Sequence, residues 1–347
     1  WWQTNVDMQE LKEEYFRNRQ NVSWNMTDPL AGDFSPAYWN NPYFDRYENY
    51  QSDEHTRLLL GANLTYKITD NLNILGRVTV DNSNDRQEYR KAIGSHPEEF
   101  GINALDESSG YRLYTRSFLQ TTYDMIANYD FTVGDFGGKA LVGGTFIKSA
   151  INSFDGNTTG GLIAPGLYTL ANSKVFVAPN ESEINYEKQG FYGQLSLDYL
   201  KTFYLEGTYR VDGTTALSIN NNSYPYFSVG ASVIVSEFIK QDWLSNLKLR
   251  ASYAEVGNDP AAGRLGAKIN NSLVGEDLLF GNSSVYVDFA NLKPENQIAT
   301  EFGLEASLFR NRLVFDGSIY KSSTKDQIFS VPQSTSTGFS FSQINAG

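Results

Sequence analysis

Apolar and polar residues alternate with a period of two along most of this chain. In the stretch SVGASVIVSEFIKQDWLSNLKLRASYAEVGN (228–258), Val229, Ala231, Val233 and Val235 share one parity, and Leu247, Leu249, Ala251 and Tyr253 resume it. Ser228, Gly230, Ser232 and Ser236, then Lys248, Arg250 and Ser252, occupy the other. Successive strand side chains point to opposite faces, so the pattern predicts strands with one apolar and one polar face. It recurs in Leu58–Leu60–Ala62–Leu64–Tyr66, in Leu72, Ile74, Val78 and Val80, and in Leu119, Tyr123, Met125, Ala127, Tyr129 and Phe131. Further instances lie around 140–147, in Phe191, Leu195, Leu197 and Tyr199, and in Phe203, Leu205, Tyr209 and Val211. Phe302, Leu304, Ala306 and Leu308 precede Leu313, Phe315 and Ile319, for about ten strands in all. In a water-soluble protein the apolar face is inside; in a membrane barrel it is outside.

The connections separate these two cases. Short turns are predicted at 67–71, 134–138, 199–202, 239–246 and 309–312, and long Asn/Ser/Gly-rich loops at roughly 82–114, 150–186, 212–224 and 258–297. Loops of such length are rare in a compact sandwich, whereas alternation of tight turns and long loops is the habit of outer-membrane barrels. Strands of about ten residues at ~40° tilt would cover an apolar band about 25 Å tall. Tyr66, Phe131, Tyr199, Phe203, Trp243 and Phe309 cluster at the short-turn ends, where an interfacial girdle is expected. The predicted fold is therefore all-β, a transmembrane antiparallel β-barrel, with Val229, Ala231 and Val233 toward lipid and Ser228 and Ser232 toward a lumen. A soluble β-rich glycan-binding protein or hydrolase is the alternative, with the faces exchanged.

Composition sharpens this picture. The chain has 347 residues with 22 Tyr and 22 Phe, yet its mean hydropathy is −0.41, which suits a large sheet with one wet face. No apolar run reaches the ~18 residues of a membrane helix, so any crossing is by strands. Cysteine is absent, which removes disulfide frameworks and thiolate metal sites. A net charge of −12 argues against a nucleic-acid partner. The first residue is Trp, with no charged-then-apolar leader, and the chain reads as a fragment or processed form.

Catalytic and metal motifs fail on spacing. GDFGGKAL (134–141) has the wrong glycine spacing for a phosphate loop, with Ala140 after Lys139, and reads as a hairpin turn. DNSNDRQE (81–88) lacks the glycine and terminal glutamate of an EF-hand. His55 and His96 are the two histidines and suggest neither a zinc site nor a triad. Carboxylate pairs such as Glu98–Glu99 and Glu181–Glu183 arise by chance among 40 acidic residues. The Asn-x-Ser/Thr triplets at Asn21, Asn157 and Asn282 need not be glycosylated in a bacterial barrel. No enzymatic activity, cofactor or metal is expected.

Residues 1–55 differ in character. DMQELKEEYFRNR (7–19) fits a short charged helix, and PAYWNNPYFDRYENY (36–50) is an aromatic-Asn-Pro segment read as part of a large extracellular loop, with barrel hairpins from 56 to 347. Trp39, Tyr43 and Phe44, with Tyr111 and Tyr168 from later loops, are candidate ligand platforms; loop aromatics also pack on one another.

Several ordered stretches carry a family resemblance. WWQTNVDMQELKEEY (1–15), NPYFDRYENYQSDEHTRLLLGANLTYKITDNLNILGRVTVDN (41–82), RVDGTTALSINNNSYPYFSVGASVIVSEF with WLSNLKLRASYAEVGN, and NLKPENQIATEFGLEASLFRNRLVFDGSIYKSSTKDQIFSVP with its later NAG resemble the SusC/RagA-type TonB-dependent outer-membrane transporters. Ala216 to Ile219 depart from the Arg-Phe-Gly piece usual in that family, and Ala254 stands where glycine is common. The resemblance implies part of a 22-stranded barrel in a Gram-negative outer membrane, with an N-terminal plug expected upstream of Trp1. It also implies import of oligosaccharide or peptide cargo, a SusD-like lipoprotein partner, and TonB acting through parts of the protein outside this chain. A passive porin, sharing barrel and loops, is the further alternative.

Overall fold

The computed structural model describes residues 4, 6–97, 108–262, 270–274, 277–281, 285–287, 291–337 and 339–347. Ten strands lie side by side in sequence order: β1 (Tyr50–Lys67), β2 (Leu72–Lys91), β3 (Gly110–Val133), β4 (Phe136–Asn157), β5 (Asn180–Tyr199), β6 (Phe203–Thr214), β7 (Ser223–Ile234), β8 (Leu244–Asn258), β9 (Glu295–Leu308) and β10 (Leu313–Lys325). Each is a neighbour of the next, and the sheet is open, with β1 and β10 at its edges among the described residues. Two separate short hairpins pair Met26–Asp28 with Asp33–Pro36 and Thr159–Leu162 with Ser173–Val175. By contact density the chain divides into two units.

The second unit comprises Leu59–Val80, Gln120–Ser149 and Ile184–Gly347. Its antiparallel registers turn the alternation into continuous rows. Leu197, Leu205, Ala231, Ala251, Phe302 and Ile319 lie directly opposite one another across six strands. One residue along each strand, Asp198, Tyr204, Ser232, Arg250, Gly303 and Ser318 form the row on the opposite face. The apolar row is open to the exterior: Leu205, Phe302 and Ile319 are 50%, 63% and 81% exposed. A monomer in water rarely carries an apolar patch of this extent, so the sheet's own chemistry calls for an apolar surrounding on that side. On the polar face the Arg250 side chain lies across Gly303 and takes the space that a Cβ there would need.

The tight ends match the predicted turns, and their geometry is strained. Leu200 and Lys201 have φ of 53° and 52°, and Phe309, Arg310 and Asn311 have φ of 51°, 58° and 63°. These loops enclose three and four residues, and such tight connections also need left-handed positions, which non-glycine residues supply here. The ring row Phe136–Tyr199–Phe203–Phe238 runs along this end at centroid spacings of 4.6, 6.5 and 5.7 Å.

Two expectations need correction. Strands β1 to β5 have 18, 20, 24, 22 and 20 residues rather than about ten, so the first two long connections shrink to 92–109 and 158–179, while the later two run over 215–222 and 259–294. The β2 extension, DNSNDRQEYRK, is polar on both faces, and a strand that is wet on both sides leaves no period-two signal. β1 likewise begins at Tyr50, inside the segment read as loop up to 55. In addition, PYFDRYE within 36–50 is a helix.

The first unit comprises Trp1–Leu58, Asp81–Leu119 and Ala150–Glu183. Helix α1 (Met8–Asn18) is capped by Asp7, whose carboxylate accepts from the backbone N–H of Gln9 and Glu10, and it ends at Arg19 in the left-handed region, φ 58°. Helix α2 (Pro42–Glu48) begins with Asn41 as cap and Pro42 in its first turn. Leu11 and Tyr15 of α1 and Phe44 of α2 are buried, and Tyr15, Phe44 and Ala92 form a small core with Tyr43 against it.

Candidate functional site

Four asparagines fasten the helices of the first unit. Asn41 is wholly buried, accepts from the N–H of Tyr43 at 2.9 Å, and donates to the carbonyls of Leu11 and Val22 at 2.8 Å each. Asn21 accepts from the Asn41 N–H at 2.8 Å and donates to Asn40 Oδ1 at 2.6 Å and to Gly94 O at 2.9 Å. Asn49 accepts from the Ala92 N–H at 2.7 Å and donates to Asp45 at 2.8 Å. A short amide side chain with both a donor and an acceptor can close loops that have no regular ladder, which explains why this aromatic-rich segment is also rich in asparagine.

Aromatic rings cover that scaffold. Tyr15 stacks on Tyr47 at 5.6 Å, Phe16 meets Tyr47 edge-on at 5.4 Å, and Phe16 lies 6.3 Å from Tyr43. The Tyr15 hydroxyl donates to Glu48 Oε1 at 2.8 Å, and burial together with that carboxylate pushes the Tyr15 pKa up to about 12. The Tyr168 hydroxyl donates to the Glu48 carbonyl at 3.4 Å, and burial raises its pKa as well. The Arg90 guanidinium lies 4.8 Å from the Tyr50 ring centre and 5.5 Å from that of Tyr168, and it pairs with Glu88 at 2.7 Å.

The five candidate residues fall into distinct environments. Trp39 presents a partly exposed ring, while Asn25 clamps its backbone, accepting from its N–H and donating to its carbonyl, both at 2.9 Å. Tyr43 and Tyr168 are half-buried. Phe44 and Tyr111 are only 4% and 5% exposed, so their rings act here through packing. Tyr111 also exchanges backbone and side-chain hydrogen bonds with Thr158 at 2.8 and 2.9 Å. Glu48 and Arg90 connect these groups: Glu48 receives Tyr15 and Tyr168, while Arg90 stacks on Tyr168 beside Tyr111's neighbour Glu88.

The second unit holds a polar cluster that sequence reading did not single out. Asp212 is 2% exposed and receives Arg210 at 2.7 Å, the Tyr226 hydroxyl at 2.5 Å and Lys188 at 3.5 Å. Lys188 also lies 3.2 Å from Asp259, which accepts from Tyr186 at 2.8 Å and from Tyr224. Arg210 stacks over Tyr192 at 4.9 Å. These residues come from β5, β6, β7 and the residue after β8, and Tyr224 fits against Gly257, where a Cβ would clash at 2.5 Å. RVD at 210–212 places two charges on one face of a strand, which was the available hint. Their partners Lys188 and Tyr226 on the two neighbouring strands became visible only with the register.

The other sequence candidates form no site. His55 pairs with Asp85, and His96 lies elsewhere, its N–H on Asn40 at 2.7 Å. Among the described residues no group of three His, Asp or Glu is placed to hold a metal ion. Glu98, Glu99 and Asn282 lie outside the described residues.

Comparison with known proteins places these features in a family. The family described as TonB dependent receptor-like, beta-barrel, matches residues 2–347. TonB-dependent receptor P26 of Formosa agariphila is 25% identical over 342 residues, 94% of this chain and 33% of that protein. TonB-dependent receptor P39 of the same organism is 27% identical over 159 residues, 45% of this chain and 15% of that protein. The RagAB peptide transporter superposes with a TM-score of 0.78 at 21% identity, over 93% of this chain and 36% of that one, a likeness of fold. The chain thus spans roughly a third of the proteins it matches along nearly its whole length, 33% and 36% of them. With its open meander of two-faced strands, the chain belongs to the β-barrel family of TonB-dependent outer-membrane receptors.

Proposed function

We propose that the protein containing this chain imports an oligomeric nutrient, oligosaccharide or peptide, across a Gram-negative outer membrane, driven through TonB and lidded by a SusD-like surface lipoprotein. The observation that carries the reading is the exposed apolar face running unbroken across β5 to β10 beside an equally continuous polar face. In a bilayer this face meets lipid and its partner lines a lumen. TonB acts on parts of the protein outside this chain. The short turns lie on the periplasmic side and the strand extensions on the extracellular side, where they and the helical segment seat the lid and meet cargo.

Capture of an oligomer before transport needs a wide polar surface with flat rings, and Trp39, Tyr43 and Tyr168 supply such rings, with Tyr43 packed on the small core that holds Phe44. Likeness to a peptide transporter supports the peptide arm of the proposal. Growth on the matching oligomer as sole source tests the whole. It is expected to fail when either this transporter or TonB is deleted, while lysates still cleave the oligomer. Uptake that continues unchanged without TonB would put a passive porin in its place.

A further inference from the structure

The apolar face of the second unit carries a notch. In the row Leu197–Leu205–Ala231–Ala251–Phe302–Ile319, two alanines stand directly opposite one another on β7 and β8, with large side chains on both flanks. One step toward the short turns, Val233 and Leu249 continue the floor, with Phe203 and Leu304 beside them. The notch lies at the centre of a shallow cavity of about 1000 Å³ that extends across the strands from Leu197 on β5 to Ile319 on β10. Leu205 on β6 and Phe302 on β9 flank the two alanines, three strand spacings of ~4.8 Å apart, about 14 Å between backbones. Only carbon-rich side chains face into the cavity from the apolar side, so neither water nor a polar peptide gains by filling it.

The cavity's turn end has a different chemistry. The three connections that bound it carry Lys201, Lys240, Arg310 and Arg312 against Glu237 and Asp242, a local charge of +4 − 2 = +2 in a chain whose net charge is −12. Among the described residues none of the four cations forms an ion pair. Tyr199 lies at the same level beside Phe203 and Phe238, and its amphipathic ring suits a headgroup boundary. We propose that the notch seats one glycerophospholipid of the leaflet on the short-turn side. Its acyl chains lie over Ala231 and Ala251 and its phosphate sits among Lys201, Lys240 and Arg310. This rests on the reading of the apolar face as the lipid-facing one. A second copy of the chain is a poorer occupant, because a two-fold contact over this cavity would set the same cationic turns against each other.

The test uses the whole protein purified in mild detergent, titrated with dioleoylphosphatidylglycerol and, separately, with dioleoylglycerol, and followed by native mass spectrometry. One phospholipid per chain is expected to survive activation that strips the rest, and the uncharged diacylglycerol is not. Ala231→Phe with Ala251→Phe should abolish retention, Ala231→Leu should reduce it, and Ala62→Phe on the apolar face of β1 should leave it intact. Changing Lys201, Lys240 and Arg310 to Gln should weaken retention about fivefold per charge. Heat-modifiable gel mobility reports whether each variant is folded. Unchanged retention in a folded Ala231→Leu or double-Phe variant, equal retention of diacylglycerol, or loss of a dimer in place of loss of lipid would each overturn the seat. If the wild-type protein stays in solution without a micelle, the barrel reading fails first and takes the seat with it.

Discussion

Tyr15 and Asp212 show how much single polar groups hold in place. Tyr15 is buried and its hydroxyl bonds to Glu48, so the neutral phenol is the form that the α1–α2 packing accommodates. Its pKa is raised from 10.0 to about 12, so its contribution is complete below pH 10 and is lost as pH rises toward about 12. Near-ultraviolet dichroism of the tyrosines should follow that loss. Tyr15→Phe should remove the titration while costing only about 1 kcal/mol for the missing hydrogen bond. Asp212 is different, because three donors converge on it. Asp212→Asn keeps the shape and removes the charge, leaving Arg210 and Lys188 less compensated. We expect a loss of about 2 kcal/mol in urea unfolding, reduced by the partial exposure of both cations. No change would mean that Asp259 alone suffices for Lys188.

At the scale of elements, facing and capping decide stability. Val229 lies midway along β7 on the apolar face, opposite Gly207 and Tyr253, whereas Val233 lies one residue from the strand's end at Ile234. Arg at Val229 should destabilise the barrel by about 2–4 kcal/mol, while Arg at Val233, near the boundary, should cost only about 0–1 kcal/mol. Arg at Ser228, one position from Val229 on the polar face, should be mild. Equal loss of the heat-modifiable band for Val229→Arg and Ser228→Arg would refute the assigned faces. In the first unit, Asn41→Ala removes the α2 cap and strands the carbonyls of Leu11 and Val22. A cost of about 2–3 kcal/mol is expected, read as faster proteolysis within residues 6–50 with the barrel band intact.

For the whole molecule the faces become a statement about solvent. A sheet with one long apolar face and one long polar face is stable where each meets its own medium, which a closed barrel in a bilayer provides without exposing edge strands. The full-length protein should therefore fractionate with detergent-soluble outer membrane, and recovery as a soluble monomer would reject this. Loss of the ring of Trp39, by Trp39→Ala, should weaken binding of the matching oligomer by roughly 3- to 10-fold without moving the barrel band.

The strands whose two faces differ were legible in the sequence, because period-two patterning is written residue by residue wherever one side is apolar. Leu58 to Tyr66 and Phe203 to Val211 needed nothing else, and the tight turns followed from the gaps between such runs. Helix α1 was legible too, from Asp7 and its charged repeat. Helix α2 was overlooked although Asn41-Pro42 is a cap signature, since its aromatic residues masked the helical period. The polar extension of β2 left no trace, because a strand wetted on both faces has no alternation to read. The candidate site was legible as composition alone: rings and asparagines crowd residues 36–50, but composition does not say that Phe44 is buried while Trp39 is open. The Lys188–Asp212–Asp259 cluster and the Ala231–Ala251 notch join residues tens of positions apart. Only hydrogen-bond register, a property of paired strands and not of either strand alone, brings them together.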